Sequence, residues 1–219
     1  MTLPLRVRYQ TVEFGDIDIH LCTLRDKQEF SDPQGIADKL GINSTLWPLF
    51  GVIWPSSLVL AHYISQYQTE GKKILEIGCG MALSSLLLNK KNADITATDY
   101  HPEVDFFLQR NSRLNDGKLI AFERIDWADT TDSLERFDLI IGSDVLYEDR
   151  HVQQLASFID NHARPCCEII LVDPGRGRKN KLSLLMNQYG YSSSQMKPTH
   201  TDYLKDPFKG FILTFNRQS

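Results

Sequence analysis

At 219 residues the chain is long enough for one medium domain whose core needs neither metal nor disulfides. Its four cysteines, Cys22, Cys79, Cys166 and Cys167, have neither metal-ligand nor disulfide-framework spacing, which implies a reducing, cytoplasmic compartment. A formal charge of −4 argues against an extended phosphate-binding surface, so nucleic acid is not an expected partner, and neither a secretory signal nor a run of membrane-spanning length is read from the sequence.

Alternating segments from Val7 to Phe14 and from Asp18 to Leu24, with Gly15 and Asp16 between them, predict a β-hairpin. Asp26 to Asn43 is charged and broken by Pro33, Gly35 and Gly41, which predicts a loop with room for one short helix and makes it a candidate lid. Residues 1–45 therefore read as an appendage, and residues 46–219 as the main domain. Leu46 to Pro55 is dense in aromatics and prolines; Pro55 suits the first turn of a helix continued by Leu58, Leu60, Ala61 and Ile64. Beyond it the pattern alternates: strand 73–77, helix 81–90, strand 94–98, helix 102–114, strand 119–124, strand 138–142, helix 149–162, strand 168–172 and helix 179–189. Such alternation predicts a doubly wound, mostly parallel sheet with helices on both faces. Residues 192–197 and the apolar run Gly210 to Phe215 predict a closing antiparallel hairpin. No coiled coil or long exposed apolar face demands an oligomer, so a monomer fits.

The stretch Lys73 to Gly80 carries the most information. Ile74, Leu75 and Ile77 suit a strand covered on both faces, and Gly78 and Gly80 allow backbone angles and close ligand approach that a Cβ forbids. A dinucleotide turn wants a third glycine where this chain has Leu83, and Glu76 would repel a pyrophosphate. The carboxylate suits a cationic ligand instead, such as the amino group and sulfonium of S-adenosylmethionine. Asp99 closes the next strand, where a carboxylate can accept hydrogen bonds from two ribose hydroxyls. In an open α/β sheet ligands bind at the carboxyl ends of the strands, and Asp126, Trp127, Ser143 and Asp144 fall at or just past such ends. Asp126 is a candidate acceptor for an adenine amino group, and Trp127 or Tyr100 a stacking face. Trp127 also reads as an ordinary core aromatic, and Asp126 as a loop turn or helix cap.

Taken together, Glu76-x-Gly78-x-Gly80, Asp99, Asp126-Trp127 and Asp144-Val-Leu-Tyr147 resemble the class I, seven-β-strand, S-adenosylmethionine-dependent methyltransferases over roughly residues 46–215. Within that class the chain is similar to the small protein lysine methyltransferases that act on calmodulin, chaperones and the electron-transfer flavoprotein β-subunit. Three marks carry this: Gly51-Val-Ile-Trp-Pro55, Asp144-x-x-Tyr147 and Asp173-Pro-Gly-Arg176. The resemblance implies a Rossmann-like seven-stranded sheet, S-adenosylmethionine as cofactor, Trp54 against that cofactor, Asp144 and Tyr147 flanking the acceptor amine, and a protein substrate. Ala82 departs from the further glycine many members carry, which tightens the cradle. Asp173-Pro-Gly-Arg176 also departs from the Asn/Asp-Pro-Pro-aromatic motif of enzymes that methylate base or glutamine nitrogens.

A lysine acceptor must first lose a proton, which at pH 7 costs about 4.6 kcal/mol from its ordinary pKa. Burial against Trp54, Tyr147 or Phe50 would lower that pKa and a nearby Asp144 would raise it. Asp144 is therefore assigned to positioning the nitrogen and stabilising its developing charge, with general-base action left open; it also reads as a helix N-cap, and Tyr147 as a packed helix residue. An arginine or small-molecule amine acceptor would use the same cofactor residues, and a non-catalytic S-adenosylmethionine-binding protein would keep Gly78, Gly80 and Asp99 without turnover. The basic cluster Arg176 to Lys181 reads mostly as a solvated helix start. Neither a Gly-x-Ser-x-Gly elbow nor a phosphate loop is present, so hydrolase and nucleoside triphosphatase chemistry lack residues.

Overall fold

The structure is a computed structural model and describes residues 5–131, 133–146 and 149–217, with Asp149 and Arg150 described by backbone alone. A hairpin of β1 (Val7–Phe14) and β2 (Ile17–Leu24) opens the chain, followed by a four-residue helix α1 (Ile36–Lys39) and a 3-10 turn at Trp47–Gly51. Then come α2 (Pro55–Ser65), β3 (Lys73–Ile77), α3 (Leu83–Lys90), β4 (Asp94–Asp99), α4 (Val104–Leu114), β5 (Ala121–Arg124) and β6 (Phe137–Ser143). The chain closes with α5 (Asp149–His162), β7 (Ala163–Asp173), α6 (Lys179–Gln188), β8 (Ser192–Met196) and β9 (Phe211–Arg217).

Seven strands form one sheet in the order β5-β4-β3-β6-β7-β9-β8, parallel except that β9 runs antiparallel to both its neighbours. The doubly wound sheet with a closing antiparallel pair is thus as expected. From β3 the chain winds outward through β4 to β5, then returns across β3 to place β6 on its other side. That reversal makes the crevice beyond the ends of β3 and β6 the switch point at which such sheets bind ligands.

The pleat sorts the central strands between two cores. Ile74, Leu139, Ile141, Ile170 and Val172 face the layer of α2, α3 and α4, whereas Leu75, Ile77, Ile140, Ile169 and Leu171 face α5 and α6. Glu76 shares the parity of Ile74, so its side chain is committed to the α3 side. The hairpin belongs to the first core through Ile19, Leu21 and Leu24. Asn111 of α4 and Asn115 just after it hold it there: each side-chain amide both accepts from and donates to the backbone of one β2 residue, Cys22 and His20 respectively, at 2.7–3.2 Å.

Several boundaries depart from expectation for local reasons. Helix α3 begins at Leu83 rather than 81 because Ala82 adopts a left-handed conformation, φ 54°. Strand β5 begins only at Ala121, and β7 reaches back to Ala163 with an irregular register against β6. One stretch, Trp47–Ser65, does have the length and composition of a membrane span, contrary to the sequence reading. It is broken by non-helical residues 52–54, and half of it is buried within the fold.

Candidate functional site

Three adjacent strands, β4, β3 and β6, bring their carboxyl ends together, and each delivers a carboxylate. After β3 the chain turns through Gly78 and Gly80, with φ of 57° and 51°, a region that L side chains rarely adopt. Space is tight as well. A Cβ on Gly78 would lie 2.9 Å from Val145 Cγ1, and one on Gly80 would lie 3.1 Å from the Phe50 carbonyl oxygen. Ala82 repeats the same left-handed conformation, so residues 78, 80 and 82 alternate through it.

Glu76 is 3% exposed, and its Oε2 accepts the backbone N–H of Ser85 at 2.9 Å and the Ser85 hydroxyl. Its Oε1 accepts nothing from the described residues and remains available to a ligand. Burial, outweighing those two hydrogen bonds, pushes the carboxyl up to about 7. Asp99 spans the turn: Oδ2 accepts the Gly80 N–H at 2.8 Å and Oδ1 the His101 N–H at 2.9 Å. Each oxygen keeps further acceptor capacity. Burial also raises the Asp99 pKa, against the pull of these backbone donors.

The remaining candidates divide. Trp127 stands at the cradle, its Cζ2 3.8 Å from a Cβ placed on Gly78, and packs edge-on to His151. Asp126 is exposed, and its Oδ1 accepts the Ala128 N–H at 2.9 Å, which is the turn reading of that residue. Tyr100 turns its hydroxyl to the Leu40 carbonyl at 3.0 Å and so ties the segment 26–43 onto the end of β4. Trp54 caps α2, donates its indole N–H to the Leu49 carbonyl at 2.8 Å, and carries the Lys27 ammonium 3.8 Å from its ring centre. Ser143 ends β6. Tyr147 lies outside the described residues.

Asp144 follows directly, with φ 55°, and its carboxylate is gripped by Arg176: Nε donates to Oδ1 at 2.5 Å and Nη2 to Oδ2 at 2.9 Å. The sequence presents Arg176 both in the Asp173-Pro-Gly-Arg176 mark and at the head of a solvated basic cluster, and neither reading pairs it with Asp144; it stands between Gly175 and Gly177, both at positive φ. Also unforeseen is His101, stacked on Phe50 at 4.0 Å and edge-on to Trp47 at 5.3 Å. Burial pushes this imidazole down to about 4, so it is a neutral pillar behind the Phe50 carbonyl that abuts Gly80. Asp173, 2% exposed, opens the Asp173-Pro-Gly-Arg176 mark: its Oδ2 accepts the Gly175 N–H at 3.2 Å, and burial raises its pKa.

Chemically, the cradle offers carboxylate acceptors. Glu76 Oε1 and the free lone pairs of Asp99 suit a ligand with positive charge and vicinal hydroxyls, and among the described residues no cluster of metal-ligating side chains is present.

A family model described as lysine methyltransferase matches residues 42–186. The chain is 28% identical over 134 residues to the protein-lysine methyltransferase METTL21E of Bos taurus, covering 55% of this chain and 46% of that protein. Over 117 residues it is 33% identical to the histidine protein methyltransferase 1 homolog of Dictyostelium discoideum, covering 50% and 38%. The chain spans about half the length of these curated relatives. In fold it is similar to the 16S rRNA N2 G1207 methyltransferase of T. thermophilus, solved with AdoMet and guanosine, with a TM-score of 0.69 at 15% identity over 100% of this chain and 52% of that one.

Proposed function

The chain belongs to the lysine methyltransferase family, and from that premise we propose that it transfers a methyl group to the side-chain nitrogen of a lysine on a partner protein, in the cytoplasm. The methyl donor is S-adenosylmethionine. The observation that carries the reading is the convergence of Glu76, Asp99 and Asp144 on the ends of β3, β4 and β6, around two glycines at positive φ where a side chain would be strained.

Each residue has a separate task. Glu76 Oε1 receives the donor's amino group, Asp99 its ribose hydroxyls, and Trp127 offers a flat face beside the glycine turn. Trp54, at the head of α2, is assigned to the donor's side of the pocket, and Tyr100 to offering its ring as a stacking face while its hydroxyl holds the segment 26–43. Bound there, S-adenosylmethionine supplies an electrophilic methyl group on a sulfonium. The protein's work is to align the acceptor lone pair with the methyl–sulfur axis and to exclude water. Asp144 orients the acceptor nitrogen and stabilises the positive charge that grows on it. A carboxylate at that position suits a nitrogen that becomes cationic, and the lysine methyltransferase family model supports lysine as the acceptor. Tyr147 is assigned to the same pocket from the motif it shares with Asp144.

Calorimetry and a transfer assay test this together. The parent chain is expected to bind S-adenosylmethionine and not NAD, and Asp144→Ala to keep that affinity while losing transfer to protein. Binding of NAD alone would overturn the cofactor assignment; unchanged transfer by the variant would remove Asp144 from the chemistry.

A further inference from the structure

The grip of Arg176 on Asp144 plays no part in holding a methyl donor, yet it is built from both sides. Its two hydrogen bonds, to separate oxygens, join residues 32 apart and fix the carboxylate's orientation as well as its position. On one side Arg176 sits between Gly175 (φ 102°) and Gly177 (φ 82°), in a loop anchored by the buried Asp173. On the other side Asp144 holds the uncommon φ of 55°, secured by its N–H donating to the Val172 carbonyl at 2.9 Å. The side chains are 41% and 14% exposed for Arg176 and Asp144, so the guanidinium stands at the rim and the carboxylate inside it.

We propose that Arg176 is the charge-compensating positioning residue of the acceptor pocket: it orients Asp144 and lets the incoming amine meet a near-neutral pair instead of a bare carboxylate. This rests on the reading of Asp144 as the residue that orients the acceptor lysine. A bare carboxylate would hold the lysine as its ammonium, which has no lone pair to attack a methyl group; a guanidinium on that carboxylate offsets the field while leaving acceptor lone pairs in place. Arginine stays charged at every pH of interest, so the compensation does not titrate away. Asp173 beneath the loop, Arg178, which donates to the Arg176 carbonyl at 3.3 Å, and His151 on α5 beside Trp127 also face this end of the sheet. None of these three is altered in sequence when Arg176 alone is replaced, and the lysine variant, which keeps the charge, serves as the control for it.

The test compares pH–rate profiles of Arg176→Gln, Arg176→Lys and the parent, using labelled S-adenosylmethionine with dialysed cell protein as acceptor. Arg176→Gln is expected to move the midpoint of the rise in rate upward by a pH unit or more, with a loss of about tenfold at neutral pH for each unit and recovery at high pH. Arg176→Lys, which keeps the charge, should move it less. Arg176→Met replaces the glutamine variant if the latter fails to fold. A midpoint that coincides with the parent's, or no recovery at high pH, overturns the proposal. Failure of the parent itself to bind S-adenosylmethionine or label protein would instead overturn the underlying functional reading.

Discussion

Glu76 shows how much a single side chain's environment decides. Free in an unfolded chain it titrates at its ordinary 4.5, and buried beside Ser85 it titrates near 7. The folded state therefore binds more protons than the unfolded state between those values. The associated stability is fully present below pH 4.5 and is lost as pH rises through 7, on the order of 3 kcal/mol in total. Glu76→Gln removes this dependence. Denaturant unfolding of the ligand-free proteins should show the variant gaining on the parent by about that amount between pH 4.5 and 8, while calorimetry shows weaker binding of S-adenosylmethionine. Parallel stability profiles would mean that the carboxylate is ionised at low cost in the fold. In the sequence Glu76 and Asp99 were legible because they flank a two-glycine turn at the carboxyl ends of adjacent strands. The Arg176 contact with Asp144 was not, since a pair 32 residues apart leaves no local pattern. Asp126 carried two readings, and its carboxylate is found serving its own turn; Tyr100, read as a stacking face, spends its hydroxyl on Leu40.

Among the elements, the hairpin depends most on tertiary contacts. Strand β2 pairs with β1 on one edge, and its other edge meets α4, whose Asn111 satisfies both the N–H and the carbonyl of Cys22 from a fully buried position. Asn111→Ala would strand a donor and an acceptor in the core, and should cost roughly 2–4 kcal/mol in denaturant unfolding. A change below about 1 kcal/mol would show that water reaches β2 from that side. The hairpin's existence was legible from alternation and from Gly15, but its docking was not, because an asparagine on a helix does not announce which backbone it pairs with. The start of α3 illustrates the same limit: apolar periodicity resumes at Met81, yet left-handed Ala82 delays the helix to Leu83.

Over the whole molecule, strand alternation was enough to specify a doubly wound sheet, and the reversal of strand order between β3 and β6 places the cradle where such sheets bind ligands. Fold and cofactor chemistry were readable because they rest on repeated patterns and on glycines required by backbone geometry. The contact between Asp144 and Arg176 was less readable, because these residues lie on loops after β6 and β7 and meet only in three dimensions. The central claim is transfer to protein lysine. Its most direct measurement incubates the chain with methyl-labelled S-adenosylmethionine and dialysed cell extract, hydrolyses the protein fraction and separates its amino acids. The expected result is label in methylated lysine, lost with Asp144→Ala; label confined to methylhistidine, methylarginine, nucleic acid or small molecules would contradict the claim.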